Sequence, residues 1–250
     1  LVDELVRLKH KVIVIDNLAT GQIKNLKKNL KKIKLLKIDI SKKKNIRKLN
    51  NIFKNTDCVY HFAGLADIVP SIENPYKYFE VNVTGTLHVL QAAKLNKIKK
   101  FIYAASASCY GKSPNFPTDE KCKVFTEHPY ALTKSLGEKL VLHWNKVYNL
   151  NTSSFRFFNV YGPRSRTTGA YGAVLSIFLS QKVNKKPLTI VGNGKQTRDF
   201  IHVSDLVNAL VLGIKRSKPG EIYNIGSSKE TSVNEIAKLI GGKKIYIPKR

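Results

Sequence analysis

Apolar periodicity along these 250 residues switches repeatedly between a repeat of two and a repeat near 3.6, and that alternation constrains the fold more than any other feature. An amphipathic helix over 1–9 leads to a strand at Val12-Ile13-Val14-Ile15 and a loop from Asp16 to Gly21. A second strand, Leu35 to Ile38, ends at Asp39. Helix 45–54 precedes a third, Cys58 to Phe62, which stops at Ala63-Gly64. A long helix near 75–95 feeds a fourth strand, Phe101 to Ala104, followed by helix 130–148 and a strand at 152–158. Strands alternating with helices of this length predict an α/β fold, with a parallel sheet covered on both faces. Right-handed crossovers then bring the strands' C-terminal ends to one edge, where ligands bind in such sheets.

After residue 160 the pattern loosens. Gly and Thr cluster at Thr167-Thr168-Gly169 and Gly192-Asn193-Gly194, with helices expected at 203–215 and 232–240 and a strand at 221–225. The expectation is a domain over 1–160 and a smaller lobe over 161–250, some of whose segments return to the first domain.

No apolar run approaches ~18 residues, so no membrane span or membrane partner is expected. Cys58, Cys109 and Cys122 form neither a disulfide framework nor a zinc spacing, so no metal is expected and a reduced, cytoplasmic setting fits. The chain holds no methionine and opens inside an amphipathic helix, and it stops after Ile247-Pro248-Lys249-Arg250. Both ends read as truncations. A net charge of +27 raises the question of nucleic acid. The excess is mostly lysine spread along the chain, densest over Lys24–Lys37 and Lys42–Lys48, without interleaved aromatics for base stacking. A solvated lysine surface is the expectation, with no nucleic-acid partner and a modest, salt-screened attraction for anions.

Asp16 ends the first strand, where an acidic residue either caps a turn or accepts hydrogen bonds from an adenosine ribose and disfavours a 2′-phosphate. His61, inside a strand, fits a packed core position better than an acid or base. Tyr130 and Lys134 stand four apart on a helix and share a face. A nearby ammonium favours phenolate over phenol, and bringing a tyrosine from ~10 to ~7 takes roughly 4 kcal/mol. Tyr-x-x-x-Lys alone is a weak signal in a lysine-rich chain. Ser106 and Ser108 follow the fourth strand directly, at the ligand edge, where a serine could orient the oxygen that Tyr130 deprotonates.

With these residues the chain resembles the extended short-chain dehydrogenase/reductase family, in its NAD-dependent nucleotide-sugar epimerase and dehydratase branch. The likeness runs through Val14 to Leu18, His61 to Gly64, Asn82 to Thr86, Ser106 to Gly111, Tyr130 to Lys134, Arg156 to Arg164 and Arg198 to Val203, in order. It implies a Rossmann-type doubly wound sheet with a smaller C-terminal substrate lobe, the first strand and Gly-rich phosphate loop lying before Leu1. It also implies NAD as cofactor, held by Asp16, Asn17, Asp39, Ile40, Phe62, Ala63, Gly64, Asn82, Tyr130 and Lys134. Ser106, Tyr130 and Lys134 would be catalytic. Ser106, Ser108, Asn159, Arg198 and Arg250 would contact a UDP-sugar.

Dehydratases of the branch carry an Asp-Glu pair where this chain has Ala107 and small neighbours, which favours epimerisation of a UDP-hexose at carbon 4. The 4,6-dehydratase, decarboxylase and reductase reactions of the same scaffold are the alternatives, and a non-catalytic basic binding protein is a distant one. A homodimer through a four-helix interface of helices 75–95 and 130–148 is the expected assembly.

Overall fold

β-Branched residues at Val12 to Ile15 make the first strand (β1, Val12–Asp16), which follows a short helix (α1, Val2–Arg7). The structure is a computed structural model and describes residues 1–113, 117–165 and 174–248. A lysine-rich 3₁₀ segment, Ile23–Lys32, leads to β2 (Ile33–Lys37), which pairs parallel with β1. Helix α2 (Ile46–Phe53) buries Leu49 and Phe53. It precedes β3 (Cys58–His61), and helices α3 (Ile68–Glu73) and α4 (Pro75–Phe79) follow. Asn74 caps α4 through its side chain, and Pro75 occupies the first turn, where its missing N–H is harmless.

The helix expected over 75–95 is one continuous rod with a widened centre: α4 runs through a π-helical turn, Glu80–Thr84, into α5 (Gly85–Leu95). Such turns recur at functional sites, and Asn82 lies in this one. Strand β4 (Lys100–Ser106) pairs parallel with β3 and is buried from Lys100 to Ala105. Helix α6 (Pro129–Tyr148) starts where the His128 ring accepts from the Ala131 amide at 3.2 Å, and it ends at left-handed Asn149. β5 (Thr152–Phe157) and β6 (Asn159–Tyr161) follow. The rest comprises α7 (Val174–Val183), β7 (Leu188–Val191), β8 (Thr197–His202), α8 (Val203–Arg216), β9 (Ile222–Ile225), β10 (Glu230–Ser232), α9 (Val233–Ile240) and β11 (Lys244–Ile247). The Thr167–Gly169 cluster lies outside the described residues.

Two compact units result. The first spans Leu1–Arg156 and Val207–Asn224. Its strands form a β1-β2 pair and a sheet ordered β3-β4-β5-β9, which are not hydrogen-bonded to each other among the described residues. Leu49, Leu90, Phe101, Tyr103 and Val141 fill its main core. The second unit spans Phe157–Leu206 and Ile225–Arg250. Its sheet runs β10-β8-β6, with β8 antiparallel to β10 and parallel to β6, beside a parallel β7-β11 pair. Phe178, Leu188, Ile190 and Ile236 form its core. Among the described residues, no helix is long and apolar enough to cross a membrane.

Candidate active site

Candidate residues of the first unit gather where its strands end. At the end of β1, Asp16 Oδ1 accepts from the Leu18 amide at 2.6 Å, closing a turn in which Leu18 has φ 60°. Beyond β2, Asp39 accepts from the Ser41 amide (2.9 Å), the Ser41 hydroxyl (2.7 Å) and the Asn17 amide group (3.4 Å). Partial burial opposes that charge, but the bonds from Ser41 and Asn17, with Lys42 nearby, hold Asp39 below the usual carboxylate range. Ile40 is different: its side chain lies in the core against Gly85, and its carbonyl is bonded to His88.

At the end of β3, His61 is buried and its ring lies 2.8 Å from the Thr86 hydroxyl. Burial, and then the Lys134 charge, push His61 down to about 3, so it is a neutral core residue. Phe62 and Ala63 beyond it are exposed. A side chain at Gly64 would bring a Cβ within 3.0 Å of Asn82 Oδ1 and 4.0 Å of Lys134 Nζ, so only glycine leaves that approach open. Asn82 is 1% exposed, and its amide is fully used. It accepts from the Leu65 N–H (2.8 Å) and donates to the Leu65 carbonyl (3.0 Å) and the Thr133 hydroxyl (3.0 Å). Asn82 thus clamps the turn after β3 to α6.

Ser106 closes β4, and its hydroxyl is bonded to that of Ser108 on the next turn. Both serine hydroxyls face the Tyr130 phenol closely enough to favour its charged form. Tyr130 opens α6, with its N–H on the Ser71 hydroxyl (3.0 Å) and its ring stacked on His128 at 5.9 Å. One turn later, Lys134 is buried with Nζ 4.5 Å from the Tyr103 ring centre. The structure therefore brings Ser106, Ser108, Tyr130, Lys134, Gly64 and Asn82 together.

Burial opposes the charged form of both Tyr130 and Lys134. Burial raises Tyr130 above its ordinary value, and the opposing influences are the Ser106 and Ser108 hydroxyls rather than the ammonium. Burial also brings Lys134 down to about 8, against the pull of Glu138. Desolvation penalises both charged forms.

Glu138 escaped the sequence reading, and Tyr110 and Arg156, named there within longer motifs, were given no role. Glu138, one turn beyond Lys134, forms a buried ion pair with Arg156 of β5, and Arg156 bonds the Tyr110 hydroxyl at 2.7 Å. An arginine inside the otherwise small and aromatic strand Thr-Ser-Ser-Phe-Arg-Phe was the available signal, because a buried guanidinium demands a carboxylate.

In the second unit, Asn159 on β6 donates to the Asp199 carbonyl at 2.9 Å. Arg198 is exposed and bonds the Thr197 carbonyl at 2.7 Å. The Asp199 carboxylate beside it gathers Ser227 N, Ser227 Oγ and Ser228 N at 2.7, 2.9 and 2.8 Å, fixing the 226–229 turn. Arg250 lies outside the described residues.

Residues 1–226 match the model of the NAD dependent epimerase/dehydratase family. The chain is 33% identical over 245 residues to UDP-glucose 4-epimerase of Mycolicibacterium smegmatis, covering 97% of this chain and 77% of that protein. It is 34% identical to UDP-N-acetyl-alpha-D-glucosaminuronate decarboxylase of Bacillus cytotoxicus, covering 96% and 74%. The solved UDP-glucose 4-epimerase of Thermotoga maritima, with UDP-glucose, superposes with a TM-score of 0.93 at 29% identity, over 100% of this chain and 81% of that one. The fold is thus the Rossmann-type α/β architecture, and the chain belongs to the NAD-dependent epimerase/dehydratase family of the extended short-chain dehydrogenases/reductases.

Proposed function

We propose that the protein is a UDP-hexose 4-epimerase working through a transient 4-keto sugar. The observation that carries this is Tyr130 at the start of α6, one helical turn before buried Lys134, with the paired Ser106 and Ser108 hydroxyls facing its phenol. The residues fit NAD. Gly64 leaves a close approach beside Lys134 Nζ, which a Cβ would restrict. Asp16 and Asn17, anchored at the end of β1, suit the adenosine ribose hydroxyls, and Asp39-Ile40, tied to Asn17 at 3.4 Å, would flank the adenine.

NAD, when bound, takes a hydride from carbon 4 of the sugar and returns it, so no net redox occurs. Tyr130 removes the proton of the 4-hydroxyl and gives it back once the keto sugar has turned over. Ser106 and Ser108 hold that oxygen and favour the phenolate by donating to it. By the family resemblance, Lys134 would hold the nicotinamide ribose of bound NAD while its charge favours the phenolate. By the family resemblance, Asn159, Arg198 and Arg250 hold the UDP diphosphate, which gives 161–250 its role as substrate lobe.

Tyr130→Phe should abolish interconversion of UDP-sugars, while UDP-sugar binding, followed by calorimetry, stays within about threefold; turnover at the wild-type rate overturns the reading. The likeness to a decarboxylase favours one alternative, decarboxylation of a UDP-uronic acid. Carbon dioxide release from such a substrate, without epimer formation, would decide for it. The reading also includes a homodimer packed through α4, α5 and α6.

A further inference from the structure

The Ser106–Ser108 turn and helix α6 come from separate stretches of chain, yet the phenol and the serine hydroxyls must meet within a hydrogen-bond length. A buried polar strut joins them. Arg156, on β5, donates from Nε (3.0 Å) and Nη2 (2.5 Å) to the two oxygens of Glu138 on α6. Ser154 donates a further bond to Glu138 at 2.8 Å, so the carboxylate is saturated. On its other side, Arg156 Nη1 donates to the hydroxyl of Tyr110, the last residue of the turn that carries Ser108. That hydroxyl donates onward to Asn224 Oδ1 at 2.8 Å. Arg156 and Glu138 side chains are 4% and 5% exposed.

A buried ion pair is weak evidence for stability, because desolvation offsets much of its attraction. Its planar geometry does fix distance and direction, and chained bonds polarise one another. We propose that Arg156, bonded to Glu138 and Tyr110, is a positioning residue that sets the Ser108 hydroxyl against the Tyr130 phenol. Serine bonds favour the phenolate, so loosening the turn removes the help that opposes burial at Tyr130.

This rests on the epimerase reading, and the experiment keeps the two apart. Tyr110→Phe deletes the hydroxyl while leaving the ring over Arg156 and the Glu138 pair untouched. With NAD present and the UDP-sugar that wild type turns over, kcat should fall at least tenfold, because small misplacements of reacting groups are costly. KM should hold within about twofold, the melting temperature should fall by roughly 2–4 °C as buried Arg156 Nη1 loses its partner, and the acidic limb of the kcat/KM profile should move to higher pH. In a Ser108→Ala background, Tyr110→Phe should then cost less than about threefold, because its effect runs through that serine. Asn224→Ala, which frees the same hydroxyl from its far side, should repeat the pattern and stands in if Tyr110→Phe folds poorly. Equal losses in both backgrounds, or an unchanged kcat, overturn the proposal. If Tyr130→Phe is inactive alongside that result, only the strut fails; an active Tyr130→Phe removes the epimerase reading and the strut with it.

Discussion

At the scale of single residues, Lys134 shows stability and chemistry pulling in opposite directions. Its ammonium is buried against Tyr103, and burial brings it down to about 8. Holding a proton there at neutral pH costs the fold up to about 3 kcal/mol, the worth of the difference from 10.5. Lys134→Met keeps an unbranched chain whose sulfur packs well on an aromatic ring. It should raise the melting temperature at pH 7 while removing turnover. Above pH 8 the native lysine gives up its proton and the unfolded one keeps it to near 10.5, so wild-type stability rises with pH through that window. The advantage of Lys134→Met should therefore shrink between pH 8 and 10, as thermal melts at stepped pH would show; a variant less stable than wild type at pH 7 would contradict the account. The placement of Ser106 at a strand end and of Tyr130 and Lys134 on one helix face was legible because both are local properties. The upward push on the phenol was not, because burial, and the further push from the charges of Asp67 and Cys109, depend on groups distant in sequence.

At the scale of elements, the site depends on how closely α6 approaches β4. Gly137 makes that approach possible: a Cβ there would overlap the Tyr103 hydroxyl and come within 3.3 Å of the Asn82 carbonyl. Tyr103 is 1% exposed and has no room to withdraw. Gly137→Ala gains helix propensity, about 1 kcal/mol, but overpacking of this kind typically costs about 1–3 kcal/mol. The expected net result is a lower denaturation midpoint. Activity should fall further than stability, since α6 carries Tyr130 and Lys134 and any retreat separates them from the serine turn. Unchanged kcat with unchanged stability would show that the helix yields freely. The succession of strands and long helices could be read from periodicity within a residue or two at most boundaries, as for Pro129–Tyr148 and Ile222–Ile225. Periodicity could not show the π-turn at Glu80–Thr84, which inserts a residue without altering which side chains are apolar. Nor could it pair Glu138 with Arg156, because that depends on β5 lying beneath α6.

For the whole molecule, the sequence leaves a face of the first unit to be covered. An open groove of about 320 Å³ runs between the two long helices, lined by Phe79, Val83, Leu136, Lys139, Leu140 and His143. Phe79 and Leu132 are 47% and 45% exposed on the same helices. Apolar area in water is worth about 25 cal/mol per Å² when covered, and a two-fold axis lets one patch cover itself. In the proposed dimer each copy contributes the Pro75–Leu95 rod and α6. Phe79→Asp places a charge in that patch and should shift sedimentation from twice 28.2 kDa to the single-chain mass. Charge sets a second, opposite expectation for salt. Each copy carries +27, so two copies repel at long range, and raising ionic strength screens that repulsion while leaving the apolar contact intact. Dimerisation should therefore tighten between 50 and 500 mM salt, whereas attraction of the anionic UDP-sugar should weaken over the same range. A dimer that loosens with salt would mean that ion pairs, not the Phe79 groove, hold the copies together.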